Sequence, residues 1–348
     1  MSSKLEFGVN VNNREPLIAP DYDLQMLLDL SEVVESSGFD SLWVGDSLFS
    51  KPRYEPIALL SAISQRTSRV KLGTACMVTS TRNPLYLALE WATLDRISGG
   101  RAILGAGAGN PEEGVRREFE ALGLDYARRA SVFEEGLAVL RELWTKGSVT
   151  FHGRYFDYED VSFYSGTEMG PLMPLQAPAP IWVVSNPRLR GDADPDVMRR
   201  RLEAACRRIV LYGDGWMTCC RAQHPEELTE QLGWIERAAE AHEKDFSRLV
   251  ISYQVTMNIG DSEEEARAIF GEYISKYYPE LSQAMDLSNW GPVGTPEQIA
   301  DWIRTFAAAG VDHFICRFGA IDQFGQVKRF ASEVLPLFTR EREGVEVR

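Results

Sequence analysis

The sequence is poor in the residues that most often carry metal or hydrolytic chemistry. It has 4 histidines in 348 residues, none with a second ligand at metal-site spacing, which disfavours zinc catalysis. Its 5 cysteines (Cys76, Cys206, Cys219, Cys220 and Cys316) form an odd, dispersed set without CxxC spacing. That usage points to reduced thiols in a cytoplasm rather than to a disulfide framework. No GxSxG elbow is present, so Ser/His/Asp hydrolysis has no support. Positive charge is also short: 37 Lys and Arg face 51 Asp and Glu, a net charge of −14. A field of that sign repels phosphodiester backbones and anionic lipid. No apolar run approaches the roughly 20 residues that span a bilayer. The opening Met1-Ser2-Ser3-Lys4 is not a basic-then-apolar leader. The expectation is a soluble, cytoplasmic protein with no nucleic-acid or membrane partner.

What is present is a regular alternation of short β-branched runs with longer amphipathic stretches. Leu5–Asn10 reads as strand one and Tyr22–Ser37 as a helix stopped by Gly38. Ser41–Val44 and the helix Pro56–Thr67 follow, then Val70–Met77 and the helix Pro84–Ile97, which opens at a proline. Ala102–Ala106 is strand four and Ala127–Thr145 a long helix. The rhythm then breaks: Val149–Tyr158 reads as a hairpin turning at Gly153, and Gly166–Pro180 as a surface excursion. Ile181–Val184, the helix Arg199–Val210, Gly215–Thr218, the helix Glu226–Glu243 and Val250–Ile259 restore it. The helix Ser262–Tyr277, a loop Pro279–Pro292, the Thr295-capped helix Gln298–Ala309, strand Asp312–Phe318 and helix Gln326–Phe338 complete the chain. Eight strand–helix units with no compositional linker predict one (β/α)8 TIM barrel over residues 1–348, with a hairpin insertion between strands four and five. The competing doubly wound sheet lacks its dinucleotide fingerprint after strand one, where the chain reads Gly8-Val9-Asn10.

In such a barrel the site lies at the carboxyl ends of the strands, so the residues just beyond each strand are the candidates. Asp46 follows strand two, as a ligand contact, a loop contact or an ordinary turn aspartate. Gly107 and Gly109 end strand four. They either let the backbone approach a flat ring or supply a turn with positive φ. Ser185 and Asn186 either hold a phosphate or cap the next helix, with Arg188 and Arg190 as further charge or as solvated side chains. Cys76 reads as a small buried hydrophobe before a reactive thiol, and Cys219 and Cys220 point to opposite sides of a strand. His313 reads as structural, and His152 sits on the hairpin, where it could lean over the barrel mouth.

A resemblance adds to this reading. The run Gly38-Phe39-Asp40-Ser41-Leu42-Trp43-Val44-Gly45-Asp46 resembles strand two of the bacterial-luciferase-like monooxygenase family. So do Leu72-Gly73-Thr74-Ala75, Arg82-Asn83-Pro84, and Ala92-Thr93-Leu94-Asp95-Arg96-Ile97-Ser98-Gly99-Gly100-Arg101, with Leu104–Gly109 at the usual place. Phe151-His152-Gly153, Pro180–Val183, Gly213–Trp216, Gly294–Glu297 and Ala309–Phe314 extend the match over nearly the whole chain. The family implies a barrel that binds reduced FMN or the 5-deazaflavin coenzyme F420. Thr74, Ala75, Cys76, Gly107 and Gly109 would then lie along the ring, and Ser185, Asn186, Gly213, Asp214, Gly215 and Trp216 would hold the ribityl phosphate end. Asp46, Ser47, Asn110 and His152 would stand near the substrate. Many members carry histidine where this chain has Ser47, and a serine has no proton-transfer group near neutral pH. The connection Asn186–Asp196 is also longer than usual. The first expectation is therefore a homodimeric, oxygen-using monooxygenase that receives reduced FMN from a separate reductase and acts on a small molecule. The alternatives are deazaflavin-dependent hydride transfer and a luciferase-like binding protein without turnover.

Overall fold

A computed structural model describes residues 5–14, 19, 21–163, 171–187, 194–219, 224–278 and 290–338. In chain order, β1 (Glu6–Asn10), α1 (Leu24–Ser36), β2 (Ser41–Val44), α2 (Pro56–Ser64), β3 (Lys71–Thr74) and β4 (Met77–Val78) open the fold. They are followed by α3 (Pro84–Ile97), β5 (Ala102–Gly107), α4 (Glu113–Ala121), α5 (Arg129–Lys146), β6 (Ser148–His152) and β7 (Asp157–Ser162). Next come β8 (Ile181–Val184), α6 (Pro195–Tyr212), β9 (Gly215–Cys219), α7 (Pro225–Ala241), β10 (Val250–Ile259) and α8 (Glu263–Tyr277). The chain closes with β11 (Val293–Gly294), α9 (Pro296–Ala308), β12 (His313–Phe318) and α10 (Gln323–Arg329), which runs on into a π-helical turn, Phe330–Val334. Among the described residues no helix is long and apolar enough to cross a membrane.

The expected strands and helices are present with two differences of substance, whereas 166–170 of the expected excursion, 279–289 of the expected loop and Cys220 lie outside the described residues. The single strand Val70–Met77 is two pieces, β3 and β4, both paired to β5 and separated at Ala75–Cys76, whose peptide bond is cis. Helix α4 was not legible because Glu113–Ala121 is mostly charged and glycine-bearing. Its apolar signal is the i,i+4 pair Val115 and Phe119. Local chemistry fixes the ends elsewhere. Thr295 and Gln298 form a capping box with Pro296 in the first turn of α9. Gly147, at φ +77°, ends α5 in the left-handed conformation.

The chain divides into two compact units. One is Met1–Trp43 with Thr218–Leu232 and Ile251–Arg348; the other is Val44–Met217 with Gly233–Val250. In the first, parallel strands run in the order β11, β10, β12, β1, β2. Strand alternation separates two buried faces there. Phe7, Val9, Leu42, Tyr253, Val255, Phe314, Cys316 and Phe318 form the apolar one, and Phe7 stacks on Phe314 and meets Phe330 and Phe338 edge-on or tilted. The opposite face carries Ser41, Asn10, Ser252, Gln254, Thr256, Asn258, His313 and Arg317, all buried. At its base His313 of β12 bridges to β2 and β10: Nε2 lies 2.7 Å from Ser41 Oγ and Nδ1 3.2 Å from Ser252 Oγ. The histidine thus fills a structural place, in line with its position at the start of β12.

In the second unit β3, β5, β8 and β9 are parallel neighbours, and β6 and β7 form the separate antiparallel hairpin. Every residue of β5 is buried, as expected of a parallel strand covered on both faces. The amino ends of β3 and β5 are joined by Arg101. Its guanidinium donates to the carbonyls of Ser98, Val70, Ser64 and Thr67 and to Thr67 Oγ1. Gly99 and Gly100, at φ +73° and +81°, make the turn that delivers it. The stretch that most resembles the luciferase-like family is therefore a staple at the amino ends of strands, remote in role from chemistry. Replacing Arg101 by alanine strands several carbonyls, each costing about 1–3 kcal/mol if left unmet. Urea unfolding of Arg101→Ala should show a loss of about 3 kcal/mol; a loss under about 0.5 kcal/mol would contradict the staple.

Candidate active site

The loop beyond β2 begins with the chemistry the sequence suggested and spends it on structure. Asp46 accepts both terminal nitrogens of Arg82, at 2.6 and 2.9 Å, and the backbone N–H of Val78 at 2.9 Å. The carboxylate is 6 % exposed. Burial pulls the Arg82 pKa down, but the Asp46 hydrogen bond and the charges of Asp46, Glu55 and Glu90 outweigh it and hold the guanidinium above its usual value. The fork geometry makes this a clamp between the β2 loop and the turn after β4.

Ser47 is committed as well. Its hydroxyl donates to Glu118 Oε1 at 2.7 Å and accepts the N–H of Lys51 at 3.0 Å. A hydroxyl has one proton, so Ser47 has none left for a ligand while Glu118 is ionised. Glu118, on α4 and 2 % exposed, also takes the N–H groups of Phe49 and Ser50 at 2.8 and 2.7 Å. Burial raises its pKa, but the Ser50 and Phe49 amides and the two serine hydroxyls together lower it below the usual carboxylate value. Gly114 lets α4 come this close, since a Cβ there would stand 2.7 Å from Ser50 Cβ. Lys51 and Glu112 add an ion pair at 2.9 Å, and Glu112 also accepts from Asn110 Nδ2. Asn110 itself is exposed.

The β3–β4 segment lies along β5. Thr74 Oγ1 donates to the Gly105 carbonyl at 2.9 Å. A Cβ on Gly105 would collide with the Thr74 carbonyl, and one on Gly107 would stand 2.9 Å from Cys76 Sγ. Gly107 thus makes room for the chain's own Cys76, while Gly109, at φ +87°, is a turn glycine. Thr79, directly after β4, is 8 % exposed with its hydroxyl buried and unpartnered. Thr74, Ala75, Cys76, Gly107, Gly109, Asp46, Ser47 and Asn110 are in this way brought to one set of connected loops.

The remaining candidates part company. Ser185 and Asn186 do stand at the carboxyl end of β8, where the Trp216 ring N–H donates to the Ser185 carbonyl at 2.7 Å. They do not cap α6, whose first turn is capped by Asp194. Arg188 and Arg190 lie outside the described residues. Gly213, Asp214 and Gly215 are corrected: they lie at the amino end of β9. There Asp214 binds the N–H of Ile181 at 2.9 Å and pairs with Arg141, so they stand at the wrong strand end for a phosphate site. His152 is corrected too. It is exposed on the hairpin and bound to its own Asp157 at 2.7 Å and Glu159 at 3.3 Å. The Asp157 hydrogen bond, against slight desolvation and with both carboxylate charges, raises its pKa.

Sequence reasoning missed a second polar group, in the other unit. Beyond β1 and at the ends of β10 and β12 lie Asn10, Asn12, Arg14, Thr256, Asn258 and Arg317, beside Tyr273, Tyr277 and Tyr278 of α8 and its end. Asn12 Nδ2 donates to the Tyr273 hydroxyl at 3.2 Å, and Arg317 donates to Thr256 Oγ1 and to the Tyr278 hydroxyl. Buried oxygens of Asn10, Asn12 and Asn258 have no partner, an arrangement that costs about 1–3 kcal/mol each unless something supplies a donor. The alternation of β10 and the Val115–Glu118–Phe119 spacing in α4 were the signals that would have exposed these residues and Glu118. Among the described residues no group of acids, histidines and cysteines is arranged to hold a metal.

A family model described as luciferase-like monooxygenase matches residues 5–313. The chain belongs to that family. This luciferase-like chain is 25 % identical over 323 residues to an F420-dependent glucose-6-phosphate dehydrogenase of Amycolatopsis mediterranei, covering 89 % of this chain and 93 % of the relative. Among solved structures, an F420-dependent secondary alcohol dehydrogenase in complex with an F420-acetone adduct matches at TM-score 0.77 and 20 % identity, over 96 % of this chain and 99 % of that one. A monooxygenase from Streptomyces bottropensis matches at TM-score 0.75 and 22 % identity, over 96 % and 100 %. The fold of this luciferase-like chain is the expected (β/α)8 TIM barrel, and the protein is an oxidoreductase enzyme.

Glu118 gives the site its pH sensitivity. Its folded pKa is depressed, so its contribution is present above the ordinary carboxylate pKa of 4.5 and is lost as pH falls through the lower folded value. Replacing Glu118 by glutamine should speed hydrogen exchange of the Phe49 and Ser50 amides at neutral pH by about tenfold or more, the loss of a charge-assisted acceptor. Unchanged exchange at both amides would contradict the latch.

Proposed function

We propose that the protein is a deazaflavin (coenzyme F420)-dependent oxidoreductase that moves a hydride between the coenzyme and a small organic substrate. The observation that carries this reading is the near full-length likeness to an F420-dependent dehydrogenase. It favours the alternative over the FMN monooxygenase put first from the sequence. The reading as a binding protein without turnover draws no support from relatives named as dehydrogenases.

The residues present fit a flat heterocycle. Thr79 offers a buried, unpartnered hydroxyl to its polar edge, and Cys76, seated against Gly107, offers a wall. Bound there, the coenzyme supplies the carbon that gives or takes the hydride. The protein's part is placement. Asp46 and Arg82 fix the β2 loop against the turn after β4, and Glu118 fixes residues 47–51. Ser185 and Asn186 serve the phosphate end, with the Ser185 carbonyl held by Trp216. Ser47 orients the loop and carries no substrate proton, because its own proton is held by Glu118. This takes over the place that a histidine holds in many relatives.

Anaerobic titration of the full chain with F420 and, in parallel, with FMN separates the readings. The expected result is saturable F420 binding, at least a hundredfold tighter than FMN. Alcohols and sugar phosphates should then be screened for reduction of the bound coenzyme. Tight binding of FMN alone, with oxygen uptake on reduction, would overturn the proposal.

A further inference from the structure

The polar group at the ends of β1, β10 and β12 contains a cation, Arg14, for which the described residues offer no acid. The Arg14 guanidinium carbon stands 4.5 Å from the centre of the Tyr277 ring and 5.9 Å from that of Tyr278. Its Nε is buried and has no hydrogen-bond partner. Among the described residues Arg14 makes no ion pair. An aromatic ring attracts such a cation but accepts little from its N–H donors, so stacking alone leaves the donor capacity of the side chain unspent.

Two further observations point the same way. Tyr277 and Tyr278 are shared by a second guanidinium, Arg317, at 5.5 and 5.9 Å. The two cations therefore lie no farther apart than the sum of their distances to Tyr277. Beside them the unpartnered oxygens are those of Asn10, Asn12 and Asn258, each at most 3 % exposed. The unmet Arg14 Nε calls for an acceptor, of which an acid is the strongest, and the unmet amide oxygens call for O–H or N–H donors.

We propose that Arg14, with Asn10 and Asn12, forms a subsite for the anionic end of a small hydroxylated molecule. An acidic oxygen group, carboxylate or phosphate, sits on the guanidinium, and neighbouring hydroxyls donate to the asparagine oxygens. That the molecule is the substrate rests on the oxidoreductase reading. The subsite itself does not. Arg14 then favours acids over neutral alcohols, because a charged acceptor makes a stronger hydrogen bond to the guanidinium than a neutral hydroxyl oxygen does.

The test is calorimetric titration of the full chain, without coenzyme, using inorganic phosphate and D-gluconate separately, with sodium chloride at matched ionic strength and neutral glucose as references. The proposal expects one of the two anions, or both, to bind at millimolar or lower concentration, with glucose and chloride silent. Gluconate alone assigns the acidic group as a carboxylate, and phosphate alone as a phosphate. Arg14→Gln should weaken binding at least tenfold and Arg14→Lys by less, with the thermal midpoint of each variant checked first. If Arg14→Gln does not fold, Arg14→Lys against the wild type still decides, since loss of the bidentate fork must lower affinity. Binding of neither anion above the chloride reference, or equal affinity in both variants, overturns the subsite. No coenzyme enters the readout, so its failure leaves the deazaflavin reading standing, and failure of F420 to bind leaves this titration interpretable.

Discussion

The carboxyl-end loops of the Val44–Met217 unit depend on a buried carboxylate that does no chemistry. Glu118 gathers two backbone N–H groups and the Ser47 hydroxyl onto one side chain. Removing those donors from water without an acceptor would be costly, and the ionised acid meets them all. Asp46 does the same for Val78 and Arg82. The two acids together fix the loop after β2 to the segments after β4 and β5. The functional consequence is a frame in which Ser47 and Arg82 are already occupied, which suits a reaction whose bond-making is done by a bound coenzyme.

The second constraint is a sheet with two unlike buried faces. In the other unit the apolar face is an ordinary packing surface of phenylalanine and aliphatic side chains. The opposite one is polar, and it is satisfied at the base by His313 with Ser41 and Ser252. Toward the carboxyl ends satisfaction falls away, and Asn10, Asn12, Arg14 and Asn258 keep unmet atoms. Unmet polar groups concentrated at one end of a well-satisfied face are what a ligand site requires, since a folded protein otherwise gains by filling them.

The sequence carried the fold well, because strand alternation, Gly38, Pro84 and Thr295 are local signals read one element at a time. It carried the site less well, because a side chain's partners are not local. Ser47 and Asp46 were visible as loop residues, but nothing nearby revealed that Glu118, 71 residues on from Ser47, holds the serine's proton. Gly107 suggested room for a ring, and the room belongs to Cys76. Gly213-Asp214 precede the strand expected at Gly215–Thr218, so chain order already placed them at its amino end, and it was the family resemblance that assigned them to the phosphate. Arg101 belonged to the most family-like stretch and turned out to be a staple, so resemblance located the fold more surely than the chemistry.

The central claim is that β3–β4 and β5 form the wall for a deazaflavin while the nearby acids serve only as latches. A crystal structure of the protein with F420 tests it most directly. The account predicts the heterocycle beside Cys76 and Gly107, its polar edge within hydrogen-bond reach of Thr79 Oγ1, and Ser47 still bound to Glu118. A heterocycle placed elsewhere, or one that draws Ser47 away from Glu118 as a proton donor, would contradict it.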